Sequence, residues 1–531
     1  MKSRKMLRYV AAGTAALVAL SLAGCGGDAG SSGADAGSTA DNGGSESKVI
    51  TYSSLNYTAD TTGNAPQTTK VEERFAEIVK EKLGYEIKEE KQLVHMGDYA
   101  EKLKVLFAGG DLPDVIHCGW FGLADLNKYG DQGLVVNFAE YKEQMPNMFS
   151  MIEGDSTFAD RGYTPEGNLY IAPDIQLTPD GNYDTTANCA FRKDVLDEVG
   201  VKVPETLDEL YDAAVALKAA YPDVYPIMTF EEWEPLTLGI FNAYNIPSQS
   251  VFCNGEEFVF APFVDGYKES VEFLHKLYEE ELIAPDYEVH TSEQGNAAIA
   301  NGEAFLLPKA WNGYPAQWNE EYPDQEWVYV PGLRSSDEPV KFVYHASDDK
   351  IVANSSYYTV ISSNSKVKDE LMQIYDLKYT EDMQILFSWG IEGETYTVDE
   401  NGERQVIEEN FTDSSYGANA PGDISIDGRA RAKNAIILYN GETIEQPLYT
   451  FMREVATPEI ENAFYKDVTL STDENEEYAN IMTAVITYAE EQTAKFISGA
   501  RSLDEWDAFI EELQDMGDIQ KALDIKNSKL Q

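Results

Sequence analysis

Basic residues are scarce in this chain: 40 Lys and Arg stand against 93 Asp and Glu, a formal net charge of -53. A nucleic-acid partner needs a basic surface to hold its phosphates, so that class is excluded. The acidity reads as a solvated, self-repelling surface. Histidine is scarcer still, with five residues at 95, 117, 275, 290 and 345; no two lie within a helical turn, which removes an H-E-x-x-H metal site. There is no Gly-Lys dipeptide, no G-x-S-x-G elbow and no G-x-G-x-x-G fingerprint. The phosphate-cradling loop, the serine-hydrolase nucleophile and the dinucleotide site go with them, and no cofactor is called for. Asp180, Asn182 and Asp184 alternate as at the start of a calcium loop, as do Asp399 and Asn401, but Thr185 and Arg404 stand where such a loop needs glycine. Both read as turns, so no metal is called for either. Beyond Cys25 only Cys118, Cys189 and Cys253 remain, an odd number far apart in sequence, so they read as buried thiols and not as a disulfide framework. A glycosidase's carboxylate pair is not legible in a linear sequence, because its defining separation is spatial.

What is present begins with length. At 531 residues the chain exceeds what one hydrophobic core serves, so two or more domains are expected. Residues 1–25 read as a targeting segment: basic Lys2, Arg4, Lys5 and Arg8, an apolar run from Val10 to Leu22 too short to span a bilayer, then Leu22-Ala23-Gly24-Cys25. The small residues before Cys25 resemble the bacterial lipobox, which implies a diacylglyceryl group on the Cys25 thiol. The Gly-Ser-Asp-Ala stretch at 26–47 then reads as a flexible tether. With no internal repeat and no further transmembrane stretch, the expectation is a soluble, monomeric unit hanging from its lipid.

From Lys48 onward short apolar runs alternate with helical patterns, the signature of α/β layers. Val49 to Ser53 reads as a first strand and Leu112 to His117 as another. Val71, Phe75, Ile78, Val79 and Leu83 recur at spacings of three and four, giving a helix over Thr69 to Leu83 one apolar face. Thr206-Leu207-Asp208-Glu209 and Ser502-Leu503-Asp504-Glu505 fit the capping box that starts a helix, and Trp506 falls on the apolar stripe of the second. Alternation around Asn401-Gly402 predicts a β-hairpin.

Several stretches carry a resemblance. YAEKLKVLFAGGDLPDVIHCGW, FRKDVLDEVGVKVPETLDELYDAAVALK, GIEGETYTVDENG and SLDEWDAFIEELQDMG resemble signatures of the extracellular solute-binding proteins of family 1, and in particular its large LplA-like lipoprotein branch. Val195 stands where that family usually has tryptophan. The resemblance implies an α/β, periplasmic-binding-protein-like fold of two hinged lobes with mixed sheets, a Venus flytrap that closes on its ligand without chemistry. It implies the substrate-binding lipoprotein of an ABC importer, taking an oligosaccharide outside the cell to the permease subunits in the membrane. Laid over the chain, it places residues 48–170 plus 310–355 in the N-terminal lobe and 185–303 plus 362–531 in the C-terminal lobe. The hinge crossings are then expected at 171–184, 304–309 and 356–361. A receptor for a peptide or other non-sugar solute is the alternative ligand class, and a secreted glycosidase the alternative activity.

A sugar ring offers an apolar face of C–H groups and a rim of hydroxyls, so its receptor needs flat aromatic platforms and planar polar side chains. Trp120 follows the PDVIHC strand at its carboxyl end, where ligands collect in open α/β sheets. Trp311 in FLLPKAWNG, Trp233 in TFEEWEP and Trp389 before GIEG are the further aromatic candidates, whereas Trp318 and Trp327 read as packing. Asn56 and Tyr57 after the first strand, Asp111 in the glycine turn and Arg192 in FRKD are the polar candidates, Arg192 having an ion pair with Asp194 as its structural alternative.

Overall fold

The computed structural model describes residues 47–58, 68–119, 121–155, 158–177, 182–185, 189–230, 235–310, 314–330, 332–335, 344–347, 351–400, 402, 404–407, 410, 415–416, 430–432 and 468–530. The leader, Cys25, and all but the last residue of the tether lie outside them.

Fifteen described strands follow one another: β1 (Lys48–Thr58), β2 (Tyr85–His95), β3 (Val115–Gly119), β4 (Ala172–Leu177), β5 (Asn182–Thr185), β6 (Cys189–Arg192), β7 (Val251–Cys253), β8 (Phe258–Phe260), β9 (Leu306–Leu307), β10 (Trp327–Val330), β11 (Tyr344–Ser347), β12 (Ile351–Ile361), β13 (Tyr396–Val398), β14 (Arg404–Val406) and β15 (Ala430–Ala432). They build two α/β lobes. The first holds a six-stranded mixed sheet in the order β15-β4-β12-β3-β1-β2, in which β12 alone runs against its neighbours. The helix Lys70–Leu83 packs on it as a 3.6-residue period requires, burying Val71, Phe75, Ile78 and Val79. Thr69 caps that helix reciprocally with Glu72, and Gly84 ends it in the left-handed conformation that relieves its terminal carbonyls.

The second lobe centres on β10-β6-β9, extended beside β9 by single parallel bridges to Ile227 and from there to Ile283. β6 runs antiparallel to both its partners, so β9, β10, Ile227 and Ile283 all point the same way. Around this sheet lie the helices Leu207–Ala220, Leu236–Ala243, Asp265–Glu279 and Ser292–Asn301, and the C-terminal helices Thr472–Ile497, Trp506–Met516 and Ile519–Asn527. Each lobe has its own core. One joins Ile50, Val79, Ile116, Phe138, Val360 and Met383; the other joins Phe191, Leu217, Ile240, Val271, Val485 and Phe509.

These cores correct the expected division of the chain. Residues 327–330 pair with β6, and Trp318 and Trp327 are buried beside it, so the stretch after 310 belongs to the second lobe and not the first. Conversely Leu371, Met372, Tyr375 and Phe387, expected in the second lobe, are core of the first. The expected crossings at 304–309 and 356–361 are interior strands, with Leu306 fully buried and Tyr358 1% exposed. Apolar β-type residues mark a buried strand as readily as a crossing, and the sequence pattern does not separate the two. The passages between lobes fall where the chain leaves β4 for β6 and returns from β10 to β12. Between them β5 and β11 pair antiparallel, Asn182 opposite Ser347 and Thr185 opposite Tyr344. A third passage, after β15, lies outside the described residues.

Local expectations fared unevenly. The hairpin forms, with Gly402 at φ 83° in the turn between β13 and β14. At Thr206 the hydroxyl accepts from the Glu209 N–H at 3.3 Å, but the Glu209 carboxylate accepts from the Glu205 N–H at 2.9 Å, one residue early. At Ser502 a 3-10 turn over Leu503–Glu505 precedes the helix, so that box does not close either. Complete boxes stand at Thr69, Thr291 and Ser471.

Candidate functional site

The topology fixes which edges of the two sheets face one another. In the first lobe β4 runs parallel to the β1 and β3 direction, so its carboxyl end, from which the chain leaves, lies at the same edge as the ends of β1, β2 and β3. In the second lobe β10 delivers the return passage from its carboxyl end, at the edge where β9, Ile227 and Ile283 also end. Both described passages therefore join carboxyl edge to carboxyl edge. Open α/β sheets bind ligands at that edge, and here the passages join two such edges.

On the first lobe, Tyr57 and Tyr357 converge on Gly119: a β-carbon there would lie 3.4 Å from a ring carbon of each. Tyr57 also meets Tyr99 edge to face at 5.5 Å, and the Tyr99 hydroxyl donates to the Leu55 and His117 carbonyls at 3.0 and 2.5 Å. Two half-buried phenol rings thus flank the residue immediately before Trp120. Trp120 itself lies outside the described residues. Asn56 is fully buried beneath this edge, and its amide has no hydrogen-bond partner among the described residues. Extending the β1–β3 register by one residue sets it beside His117, whose Nδ1 lies 3.1 Å from the Thr359 hydroxyl.

On the second lobe, the loop after Ile227 runs from Thr229 to Pro235 and carries Trp233, and the loop after β9 carries Trp311. Both tryptophans lie outside the described residues. The described residues that precede these tryptophans, Phe230 and Pro308, are tightly packed. A β-carbon on Gly239 would fall 2.0 Å from the Pro308 carbonyl oxygen, and one on Gly295 would fall 1.9 Å from that of Phe230. Only glycine allows these two helices so close to the carboxyl-edge loops. The Cys189 thiol donates to the same Pro308 oxygen at 3.2 Å.

Beside the Thr229 loop opens a cavity of about 170 Å3. Thr229, Thr237, Tyr287 and Thr493, each more than nine-tenths buried, contribute to its wall together with Glu288, His290 and Glu490. Burial pushes the Tyr287 phenol and the Glu288 carboxyl up and pulls the His290 imidazole down from their ordinary values. The cavity's residues come from four separated segments, and only the Thr-Phe-Glu-Glu-Trp run among them stands out in the sequence.

Two other candidates, Asp111 and Arg192, stand at the opposite edges of their sheets, and a third, Trp389, is packed into the first lobe. Asp111 is exposed in the turn that delivers the chain to the amino end of β3, the opposite edge of the sheet. Its neighbour Asp114 has the structural task there, accepting from the Ser53 N–H and hydroxyl at 2.8 Å each. Burial would raise the Asp114 carboxyl, but hydrogen bonds from Ser53, Ser365 and its own backbone together outweigh it and hold the group below its ordinary value. Arg192 ends β6 and, because β6 runs backwards, sits at the far edge. It is 6% exposed and gives Nε and Nη2 to the two Asp194 oxygens at 2.7 and 2.6 Å, with its guanidinium 5.7 Å from the Trp327 ring. Trp389 is 8% exposed and packs edge to face on Tyr396 at 6.0 Å, under the Arg404 guanidinium.

Comparison with known proteins decides the family. The bacterial extracellular solute-binding protein model matches residues 65–385, well over half of the chain. The chain belongs to this family. Solute-binding proteins of this kind are receptors and not enzymes. The fructooligosaccharide ABC transporter substrate-binding protein FusA of Streptococcus pneumoniae is 22% identical over 474 residues, 80% of this chain and 81% of that protein. The polygalacturonan/rhamnogalacturonan-binding protein YtcQ of Bacillus subtilis is 23% identical over 216 residues, 39% of this chain and 41% of that protein. Among solved structures, an HMO binding ABC-transporter associated solute-binding protein from Bifidobacterium longum infantis superposes with a TM-score of 0.67 at 19% identity, covering 90% of this chain and 98% of that one. The likeness establishes the two-lobed fold of this solute-binding protein.

Proposed function

We propose that this chain is the lipid-anchored substrate-binding component of an ABC importer, that it captures an oligosaccharide at the outer face of the cytoplasmic membrane, and that it hands the sugar to the permease as a monomer. The observation that carries the reading is the pair of facing carboxyl edges joined by the β5 and β11 passages. Three of the four tryptophans named for stacking, Trp120, Trp233 and Trp311, follow in sequence segments that end at those edges, and Tyr57 and Tyr357 add two rings beside Gly119. The related FusA and YtcQ carry sugar polymers in their names, which supports a glycan over a peptide. Closure follows from differential affinity: a ligand touching both edges binds the closed form more tightly and shifts the population toward it, and the permease reads that form.

Calorimetry with the chain from Lys48 onward against a panel of oligosaccharides tests the ligand class, with small-angle scattering on any complex found. A bound glycan that leaves the radius of gyration unchanged, or that is recovered cleaved, refutes the reading. The anchor is tested separately. Wild-type protein should partition with the membrane and take up labelled lipid, and Cys25→Ala should do neither.

A further inference from the structure

We propose that the cavity beside the Thr229 loop is the subsite for the terminal ring of a neutral oligosaccharide, and that its lining turns away acidic sugars. The proposal rests on the reading of this protein as an oligosaccharide receptor and specifies which sugars it takes.

Position comes first. Thr229 follows Ile227 and Tyr287 follows Ile283, so the cavity lies at the carboxyl edge of two adjacent parallel rows of the second lobe. Its wall continues at Pro235, the residue that closes the loop carrying Trp233. A ring entering here leaves the rest of its chain at the edge that faces the first lobe.

Size and chemistry agree with that. A single water needs roughly 10–15 Å3 of such volume, so the space of about 170 Å3 holds on the order of ten waters, or one hexose with its hydroxyls in their place. The cavity is also built to hydrogen-bond something. Tyr287 is 6% exposed, and its hydroxyl has no partner in good hydrogen-bond geometry among the described residues; the buried His290 Nε2 atom has none among them either. The Glu288 carboxylate lies close enough to the phenol to act as its acceptor, though not in good hydrogen-bond geometry, so a sugar hydroxyl can take or share that place. Buried polar atoms left open at a cavity wall are completed by a ligand or by water, and sugar hydroxyls can serve both a donor such as Tyr287 and an acceptor such as Glu490.

Charge selects among sugars. Glu288 and Glu490 line the cavity with His290, and no Lys or Arg does. A uronate carboxylate placed here would meet two acids and no fixed cation, which opposes binding, whereas a neutral ring meets acceptors for its hydroxyls.

The test uses calorimetry on the chain from Lys48 onward with two panels: neutral fructo-, gluco- and galacto-oligosaccharides, and oligogalacturonides as the acidic set. Wild-type protein is expected to bind a member of the neutral panel. Tyr287→Phe and Ala494→Leu, the second filling the cavity from the helix Thr472–Ile497, should each weaken that binding about tenfold or more. Unfolding midpoints measured in parallel should stay near wild type for Tyr287→Phe, which keeps the ring. If both variants bind the neutral ligand as wild type does, the subsite assignment is overturned while the receptor reading stands. Tighter binding of oligogalacturonides than of any neutral sugar overturns the selectivity and again leaves the receptor reading intact. Wild-type protein that binds nothing in either panel overturns both.

Discussion

Replacing Gly295 with alanine probes the packing that holds the Trp233 loop. The new β-carbon would lie 1.9 Å from the Phe230 carbonyl oxygen and 3.1 Å from its ring. Recovering an ordinary contact requires the helix Ser292–Asn301 and the loop to part by about 1.5 Å. Both partners are backbone, so no flexible side chain can yield. Overpacking of this kind costs about 1–3 kcal/mol, and the rigidity places this site at the upper end. Alanine returns about 1 kcal/mol through its better helix propensity, leaving a net loss of about 2 kcal/mol. Urea unfolding, followed for the second lobe, should show that loss as a lowered midpoint, and glycan affinity should fall because Thr229 and Phe230 are displaced. Gly109→Ala is the control. Nothing lies within 4 Å of its β-carbon position at the end of the helix Met96–Gly109, and the change there should be neutral or stabilising by up to about 1 kcal/mol. If Gly295→Ala matches that control, the close approach to Phe230 is wrong.

Arg192→Ala should cost about 2–4 kcal/mol by stranding Asp194 and uncovering Trp327, yet leave glycan affinity within about twofold, since the pair sits at the edge away from the cleft; a selective loss of binding would make Arg192 a ligand contact instead. The Asp114, Asp194, Glu209 and Glu474 carboxyls are all held below their ordinary values. Groups depressed on folding lend stability that is complete above their unfolded pKa, about 4, and is lost as pH falls through their folded values. Glu288 and Asp376, raised by burial, act in the opposite sense but are fewer. The urea midpoint should therefore drop below pH 4, and a midpoint that rises from pH 5 to pH 3 contradicts this balance. Cys118, Cys189 and Cys253 are buried, and burial pushes the Cys118 and Cys189 thiols up, Cys189 to about 12. The folded chain from Lys48 onward should react slowly with a thiol reagent and give three equivalents only after unfolding; rapid labelling of the native protein speaks against these positions.

Elements that depend on local chemistry were legible in the sequence. The helix over Lys70–Leu83 follows from its apolar spacing and from Thr69, and the hairpin at Gly402 from its turn residues. Trp506 is core because it lies on an apolar stripe, as the spacing required. The lobe boundaries were not legible. Leu306 and Tyr358 look like any apolar strand residue, and whether such a strand stays inside a lobe or crosses between lobes depends on pairing partners more than a hundred residues away. The same holds for Arg192 and Asp111. The direction of β6, which puts Arg192 at the far edge, is set by its antiparallel pairing with β9 and β10.

By itself the sequence determined the α/β alternation and the family signatures, because composition, period and short motifs are properties of neighbouring residues. Tertiary structure alone decided which edges face each other, which rings converge on Gly119 and which polar groups line one cavity. Thr229, Tyr287, His290 and Glu490 are brought to a common wall only when the strands around Ile227 and Ile283 pair and the helix Thr472–Ile497 closes over them. Such pairing is a contact between distant segments, and no pattern within any one segment encodes it.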